Sequence, residues 1–342
     1  MPIKRIRTGI VFSCVLAFVV IVAIGLYADI PHMFGVLARF RWEFLPLILE
    51  LTLFNYMCRF FKWQYYLHRL SIKIPWLTSL LIFLSGLSMA ITPGKVGELL
   101  KSYLLKRETG APISSTSPVI VAERLTDGIA MVILASVGLV LYRFGWGLLL
   151  LLLIVVLSGI LLIQNRRLSL KLLGYGERVP FLTRISHLIR AFYESAYTLL
   201  QWRPLLFAVG IGVISWSGEC AALYLVFIGL GIPPDVSLFI SATFILAVSS
   251  LIGSLSGLPG GLGTADGSML GLTRLLVSSS ATIAGAATLL IRFCTLWFGL
   301  GLGVMALLVF RALRHTPNFT KQGVGRDEGR LKKIASAGDT VV

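Results

Sequence analysis

Two short stretches of this sequence place an acid and an arginine at a repeated spacing. Glu98 directly follows the segment "PGKVG", and Asp266 lies shortly after the similar segment "PGGLG". An arginine follows each acid at the same distance, Arg124 after Glu98 and Arg292 after Asp266 (124 − 98 = 26 and 292 − 266 = 26). Carboxylates and guanidinium groups can pair with each other, carry protons or bind an ionic ligand. The repetition makes these four residues the first candidates for function.

The proline and glycine residues of both segments predict that a helix is interrupted there. Each segment separates two apolar runs, so we expect return helices that begin near Val96 and near Thr264. The amino end of a helix carries free N–H groups and a partial positive charge, which together attract an anion. Glycine also lets the backbone approach a ligand closely. The predicted substrate-binding residues are Pro93, Gly94, Lys95, Gly97, Glu98, Arg124, Pro259, Gly260, Gly261, Gly263, Asp266 and Arg292.

Three acids are candidates for proton coupling. Two of them are Glu98 and Asp266, and the third is Glu219, which lies near the middle of an apolar run. A purely structural role is the alternative for the charged residues of the repeat. Charges inside a membrane are costly and usually neutralise one another, so Glu98 can pair with Arg124 and Asp266 with Arg292. An acid in the first turn of a helix also stabilises that helix directly.

The segment "VAERLTD" contains two further acids, Glu123 and Asp127, which lie four residues apart. On a helix this spacing puts both carboxylates on one face, beside Arg124. The pattern fits a functional cluster and a solvated helix end equally, and both interpretations stay open.

The composition places these residues in a membrane protein. Of 342 residues, 56% are hydrophobic and only 13% are charged, against about 25% in soluble domains. The net charge of +16 comes from basic clusters between apolar runs, where lipid head groups and membrane orientation explain it, so we expect no nucleic-acid binding. The four cysteines and four histidines are scattered and form no CxxC pair. We therefore expect no metal, no other cofactor and no disulfide framework.

The apolar runs predict an all-α polytopic membrane fold. The first run is about 28 Å long as a helix, and we interpret it as an uncleaved transmembrane helix rather than a signal peptide. Six runs predict full crossings, and two pairs of runs predict re-entrant broken hairpins. The crossings are 9–27, 44–67, 118–142, 146–163, 204–230 and 282–310, and the hairpins are 76–92 with 96–106 and 236–256 with 265–277.

The basic residues predict how these runs are oriented. Lys and Arg accumulate on the cytoplasmic side of membrane proteins. Lys4, Arg5 and Arg7 place the N-terminus inside, and Arg59 and Lys62 then fall inside at the end of the second crossing. The remaining basic clusters fall inside only if the first hairpin enters from the cytoplasm and the second enters from outside. The two halves of the chain then have opposite orientations, as in the inverted repeats of many secondary transporters.

The predicted organisation is a single transmembrane domain, residues 1–314, in the inner (cytoplasmic) cell membrane. Its halves comprise about 44–142 and about 204–310. A basic amphipathic linker, about 164–203, should lie on the cytoplasmic surface. Residues 315–342 form a polar tail that we expect to be disordered, and both termini are predicted to be cytoplasmic.

Three segments together resemble a known family. "TPGKVGELLKSYLLKR", "VAERLTDG" and "LPGGLGTAD" are similar to the transmembrane region of the lysylphosphatidylglycerol synthase family of flippase-like proteins, and the resemblance extends over about residues 8–311. It implies a domain that moves a lipid across the bilayer, for instance an aminoacylated phospholipid. Asp266 departs from the family, which usually has Glu there. Bifunctional members also carry a soluble domain that transfers an amino acid from tRNA to lipid, and the short tail after Arg311 leaves no room for it, so we expect no synthase activity.

We therefore predict a lipid translocase that binds an anionic phospholipid or a lipid-linked head group between the two hairpins. The expected partners are membrane lipids, and no sequence signal specifies an oligomeric state. One alternative is a secondary transporter of a small soluble anion with the same architecture. Others are an enzyme acting on a lipid phosphate and a membrane partner of a lipid-modifying synthase. The sequence contains no GxxxxGK[ST] motif, so transport should be passive or coupled to an ion gradient rather than to ATP.

Overall fold

A computed structural model describes residues 3–92, 97–139, 146–169, 171 and 186–315 of the chain. These residues are almost entirely helical, and no strand occurs among them. The longer helices are α1 (Ile3–Tyr27), α2 (Ile30–Ala38), α3 (Leu45–Arg69), α4 (Trp76–Leu87), α5 (Leu99–Thr109), α6 (Ile113–Leu139), α7 (Trp146–Gln164), α8 (Ser186–Leu199), α9 (Trp202–Gly229), α10 (Val236–Leu255), α11 (Thr264–Leu276), α12 (Ala281–Arg292) and α13 (Phe298–His315). The all-α prediction is confirmed.

Four helical segments of the described chain are long and apolar enough to cross a membrane. They are Trp42–Arg69, Trp202–Gly229, Val236–Leu255 and Ala281–Leu313. A fifth candidate consists of α1 and α2, which are bent by 89° relative to each other. α6 has 27 residues, but its centre holds three of the charged residues discussed above. The structure thus supports an integral membrane protein with several passes.

The bend between α1 and α2 was not predicted from the sequence. Asp29 adopts a left-handed backbone conformation (φ 63°), and a proline lies in the first turn of α2. The hydroxyl of Thr282 donates a hydrogen bond of 2.9 Å to the carbonyl of Ala28, and a Cβ added to Gly285 would meet the Ala28 side chain. The bend is thus attached to α12, because these contacts hold Ala28 against it.

The two predicted helix breaks differ in how much of them the structure describes. α4 ends at Leu87, five residues earlier than expected, because the amides of residues 88 to 90 bond three rather than four residues back. α5 begins at Leu99. Pro93, Gly94 and Lys95 lie outside the described residues. The second break is described in full: α10 ends at Leu255, a short 3₁₀ turn follows, and α11 begins at Thr264.

Three pairs of helices pack closely against each other. α3 packs along α9, α10 packs on α6, and α13 packs on α4. α3 and α9 run antiparallel, because Gly212 lies beside Lys62 whereas Gly218 lies beside Leu51. The two meet at Asn55 and Ser215, whose side chains each bond the other residue's backbone carbonyl (3.0 and 3.1 Å). These two hydrogen bonds hold α3 and α9 together at the point where they cross.

The linker helix α8 packs on α6 and α7. It buries Tyr193, Ala196 and Leu199 on one side, while His187 and Arg190 are exposed. The predicted amphipathic pattern is therefore present in the described part of the linker, and the protein itself covers part of the apolar face.

Large apolar side chains cover much of the outer surface. On α3 they include Leu53, Phe54, Met57 and Phe61, and on α7 Leu151, Ile154 and Val155. Such surfaces are unfavourable in water but suit contact with lipid chains. On α3, Arg59 and Lys62 lie away from this surface, in the cavity lining and the buried ion pair described next.

Candidate functional site

The two helix breaks meet at the centre of the protein. A Cβ built on Gly260 in the second break would lie 3.5 Å from the side chain of Ile91, which directly precedes the first break. A cavity of about 170 Å³ lies at this junction and is lined by both hairpins and by the helices that cross beside them. Its charged lining consists of Arg59, Lys101, Arg124, Arg292, Glu98 and Glu219.

Most of the predicted site residues lie in or directly behind this cavity. Those that line it are Glu98, Arg124, Gly260, Gly261, Arg292 and the proposed proton carrier Glu219. Asp266 is buried behind Arg292, with which it pairs. Pro259, Gly263 and Gly97 belong to the breaks but are not part of the lining. Residues that the sequence repeat selected, although they are far apart in the chain, therefore lie close together in the structure.

Asp266 and Arg292 hold the second break together. Arg292 Nε donates to Asp266 Oδ1 at 2.5 Å, and its Nη2 donates to the carbonyl of Gly260 at 2.9 Å. The other carboxylate oxygen accepts the backbone N–H of Gly263 at 2.8 Å. Asp266 thereby occupies a free N–H at the start of α11, where we expected an anionic ligand. A ligand at this helix end would compete with a carboxylate that is already in place.

Glu98 and Arg124 form a looser pair at the first break. Arg124 Nε lies 3.4 Å from Glu98 Oε2, and Nη2 lies 3.6 Å from Asp127 Oδ2. Neither nitrogen makes a hydrogen bond of good geometry to any residue in the described part of the chain. The matched spacing of 26 residues therefore leads to an ion pair in both halves, and in the second half both partners also bond to the backbone of the break.

Comparison with known proteins supports the resemblance noted above. The sequence profile of the family described as "Lysylphosphatidylglycerol synthase TM region" matches residues 11–303. The chain belongs to this family. A UPF0104 membrane protein of Methanothermobacter thermautotrophicus is 28% identical over 240 residues, which cover 63% of this chain and 69% of that protein. A UPF0104 membrane protein of Methanocaldococcus jannaschii is 22% identical over 197 residues, 54% of this chain and 78% of that protein.

The glycines of this family member have packing roles at both breaks. Gly261 has a left-handed conformation (φ 67°), and a Cβ there would lie 3.0 Å from the backbone of Gly253 on α10. At Gly97 a Cβ would lie 2.4 Å from the hydroxyl of Thr92, which accepts the Gly97 N–H. Any larger residue would push the break apart at either position. Close packing alone accounts for these two glycines.

The structure adds buried charges that the sequence analysis did not select. Lys62 pairs with Asp127, and Lys101 Nζ pairs with Glu123 at 2.5 Å; all four side chains are at least 94% buried. A Cβ on Gly86 would collide with the Lys101 side chain, so this glycine gives the lysine its path to Glu123. The structure contradicts the solvated interpretation of "VAERLTD", since Glu123 and Asp127 are buried in ion pairs, while a functional role for them stays a prediction. Lysines within apolar runs were the available signal, because an intramembrane charge needs a partner.

Proposed function

We propose that this protein is a lipid translocase of the inner membrane that binds an anionic phospholipid or lipid-linked head group in the central cavity. The observation that carries the proposal is a cavity with four cationic side chains, Arg59, Lys101, Arg124 and Arg292, inside a helical bundle whose outer surface is apolar. Cationic and N–H groups in such a cavity can replace the hydration of a phosphate. The acyl chains would remain in the surrounding lipid.

The proposed architecture is the inverted repeat of six crossings and two re-entrant hairpins. The contacts are those expected when two equivalent halves exchange places: α3 meets its counterpart α9, and the packing of α10 on α6 matches that of α13 on α4. In this arrangement α6 and α7 are the third and fourth of the six crossings, and both termini lie in the cytoplasm. Alternating access would then expose the cavity to each side in turn.

In this proposal Arg124 and Arg292 supply positive charge at the cavity, and Gly260 and Gly261 supply backbone contacts. Pro93, Gly94 and Lys95 belong to the predicted site but lie outside the described residues. The protein would act by binding and translocation, without catalytic chemistry of its own.

Among the three candidate proton carriers, Glu219 fits best. Asp266 is held by Arg292 and by the Gly263 N–H, and Glu98 lies beside Arg124. Glu219 is 6% exposed and lines the cavity, yet it has no hydrogen bond or ion pair within 4 Å in the described ranges. A buried carboxylate without a close counter-ion gains most from taking up a proton.

The direct experiment is scrambling of labelled phosphatidylglycerol in proteoliposomes. We expect Arg124→Ala to slow it by roughly 10-fold or more, because a charge-assisted contact is lost. Arg69→Ala is the matched control, since Arg69 is exposed at the end of α3. Glu219→Gln should remove any dependence of the rate on a pH gradient. Equal rates in wild type and Arg124→Ala would remove Arg124 from the site.

A small soluble anion is the second candidate substrate, because a cavity of about 170 Å³ can enclose a phosphate-sized ion as well as a head group. Uptake of labelled inorganic phosphate into the same proteoliposomes separates the two cases. Phosphate uptake without lipid scrambling would replace the lipid proposal.

The inverted repeat predicts on which side each hairpin opens. In a cysteine-free background, Ser279→Cys, after α11, should react with a membrane-impermeant maleimide only from outside the cell. Thr109→Cys, at the end of α5, should react only from the cytoplasm. Both positions are exposed. Labelling of both cysteines from one side would contradict the inverted arrangement.

A further inference from the structure

The cationic residues of the cavity differ in how they are neutralised. Lys101 lies 2.5 Å from Glu123, Arg292 lies 2.5 Å from Asp266, and Arg124 lies 3.4 Å from Glu98. Each of these three already has a carboxylate within 4 Å. The fourth cation, Arg59, has no hydrogen bond and no ion pair within that distance to any residue that the structure describes.

The backbone explains why Arg59 stays apart from the nearest unpaired acid. Arg59 lies one turn beyond Asn55 on α3, and Glu219 lies one turn beyond Ser215 on α9. Because α3 and α9 are antiparallel, Arg59 and Glu219 lie on opposite sides of the point where the two helices cross. Two turns of helix separate the two positions by about 12 Å along the axes. Both side chains line the cavity without an ion pair within 4 Å, although their opposite charges still attract each other at longer range.

A second unpartnered group shares this cavity. The indole Nε1 of Trp216 is buried and lacks a hydrogen-bond acceptor among the described residues, and Trp216 belongs to the lining. A buried N–H without an acceptor is unfavourable. Tyr56, by contrast, is satisfied, since its hydroxyl donates to the Thr295 carbonyl at 2.6 Å. Within the described part of the chain, the lining thus offers the guanidinium of Arg59, which has no carboxylate within 4 Å, and the indole N–H of Trp216. Nε and Nη2 of Arg124 also lack a hydrogen bond, but each lies within 4 Å of a carboxylate.

We propose that Arg59, with the indole N–H of Trp216, is the primary contact for the phosphate group of the substrate. This inference rests on the proposed function and identifies which cation does the binding. A guanidinium presents two parallel N–H donors to a phosphate and is favoured wherever such a fork is needed. Arg124 and Arg292 would have to release their acids before they could bind a phosphate, whereas Arg59 needs no such exchange.

The charge balance of the site fits this assignment. Among the described residues, the buried pairs and the lining together contain five cations, Arg59, Lys62, Lys101, Arg124 and Arg292, and five carboxylates, Glu98, Glu123, Asp127, Glu219 and Asp266. The charges cancel when Glu219 is ionised. One positive charge remains when Glu219 is protonated, and that charge is the one at Arg59. An incoming phosphate then restores neutrality inside the membrane.

The test is direct binding by the full-length protein in detergent micelles, measured by calorimetry. The probes are short-chain phosphatidylglycerol, short-chain phosphatidylcholine and inorganic phosphate. Arg59→Gln should weaken binding of phosphatidylglycerol roughly 10- to 100-fold, the loss expected for a charged hydrogen bond. Arg59→Lys should lose less, because it keeps the charge but not the fork. Trp216→Phe keeps the ring and removes the donor, and should weaken binding by a smaller factor.

The control is Arg69→Gln on the same helix, which should bind as the wild type does. Thermal unfolding of each variant reports folding, and Arg59→Gln should unfold near the wild-type temperature, because no carboxylate of the described residues lies within 4 Å of Arg59 and only a longer-range attraction to Glu219 is lost. Wild-type affinity in both Arg59→Gln and Trp216→Phe would overturn the proposal, and so would a wild-type protein that binds none of the anionic probes. Phosphate binding that depends on Arg59, without binding or scrambling of lipid, would support the Arg59 site and refute the lipid function.

Discussion

Arg292→Ala should destabilise the protein by roughly 3–5 kcal/mol and abolish transport, because it leaves a buried carboxylate without its counter-ion. Asp266 has a side chain that is 5% exposed and would lose its 2.5 Å contact with Arg292. The carbonyl of Gly260 would lose its donor as well. Unfolding of the purified protein by denaturant in micelles measures the first effect, and lipid scrambling measures the second.

A second substitution separates structure from charge in this prediction. Asp266→Asn keeps an acceptor for the Gly263 N–H but removes the buried negative charge. The double variant Arg292→Ala with Asp266→Asn should therefore recover a large part of the lost stability. Arg311→Ala, at an exposed position, is the control and should leave stability unchanged. If Arg292→Ala alone proved as stable as the wild type, Arg292 would not be holding the second break together.

The second large effect is expected at the buried pair between α3 and α6. Asp127→Ala should cost roughly 3–5 kcal/mol of unfolding free energy, because the Lys62 ammonium would remain buried without a carboxylate. The Lys62 side chain is 1% exposed, and its other contact is the Thr126 hydroxyl at 3.4 Å. Adding Lys62→Met should restore stability, since a well-packed apolar side chain can replace a buried ion pair without loss.

Lipid scrambling by the double variant Asp127→Ala with Lys62→Met tests whether this ion pair has a role in transport besides stability. Neither Lys62 nor Asp127 lines the cavity, so we expect the stable double variant to scramble lipid nearly as the wild type does. The exposed pair of Arg166 and Glu194 (2.9 Å) is the comparison, and Glu194→Ala should change stability little because solvent screens that pair. A stable but inactive double variant would place the pair in the transport mechanism.

The structural and functional interpretations of the acid–arginine repeat are both retained, but for different halves. In the second half, three contacts of 2.5 to 2.9 Å connect Asp266, Arg292 and the broken backbone. In the first half, Arg124 approaches Glu98 and Asp127 at 3.4 and 3.6 Å without closing either contact. The halves are therefore alike in sequence spacing and unlike in geometry.

The sequence by itself determined the all-helical membrane fold, the family, the position of the second helix break and the partners of the two repeated pairs. These features are local or periodic. Apolar runs indicate which segments enter the lipid bilayer, and proline and glycine indicate where a helix ends. The spacing of 26 residues connects a return helix to the helix that follows it, and such neighbours in sequence also pack together.

The tertiary structure alone decided which other charges meet. The pairs Lys62–Asp127 and Lys101–Glu123, and the shared cavity lining of Arg59 and Glu219, depend on how each helix is rotated and on which helix it crosses. The sharp bend after α1 depends likewise on contacts with α12, because Thr282, which bonds to Ala28 at the bend, lies 254 residues further along the chain. The hydrophobic pattern of a helix indicates how apolar the helix is. The rotation of the helix about its own axis, and therefore the choice of its polar partners, is set by the close-packed neighbouring helices.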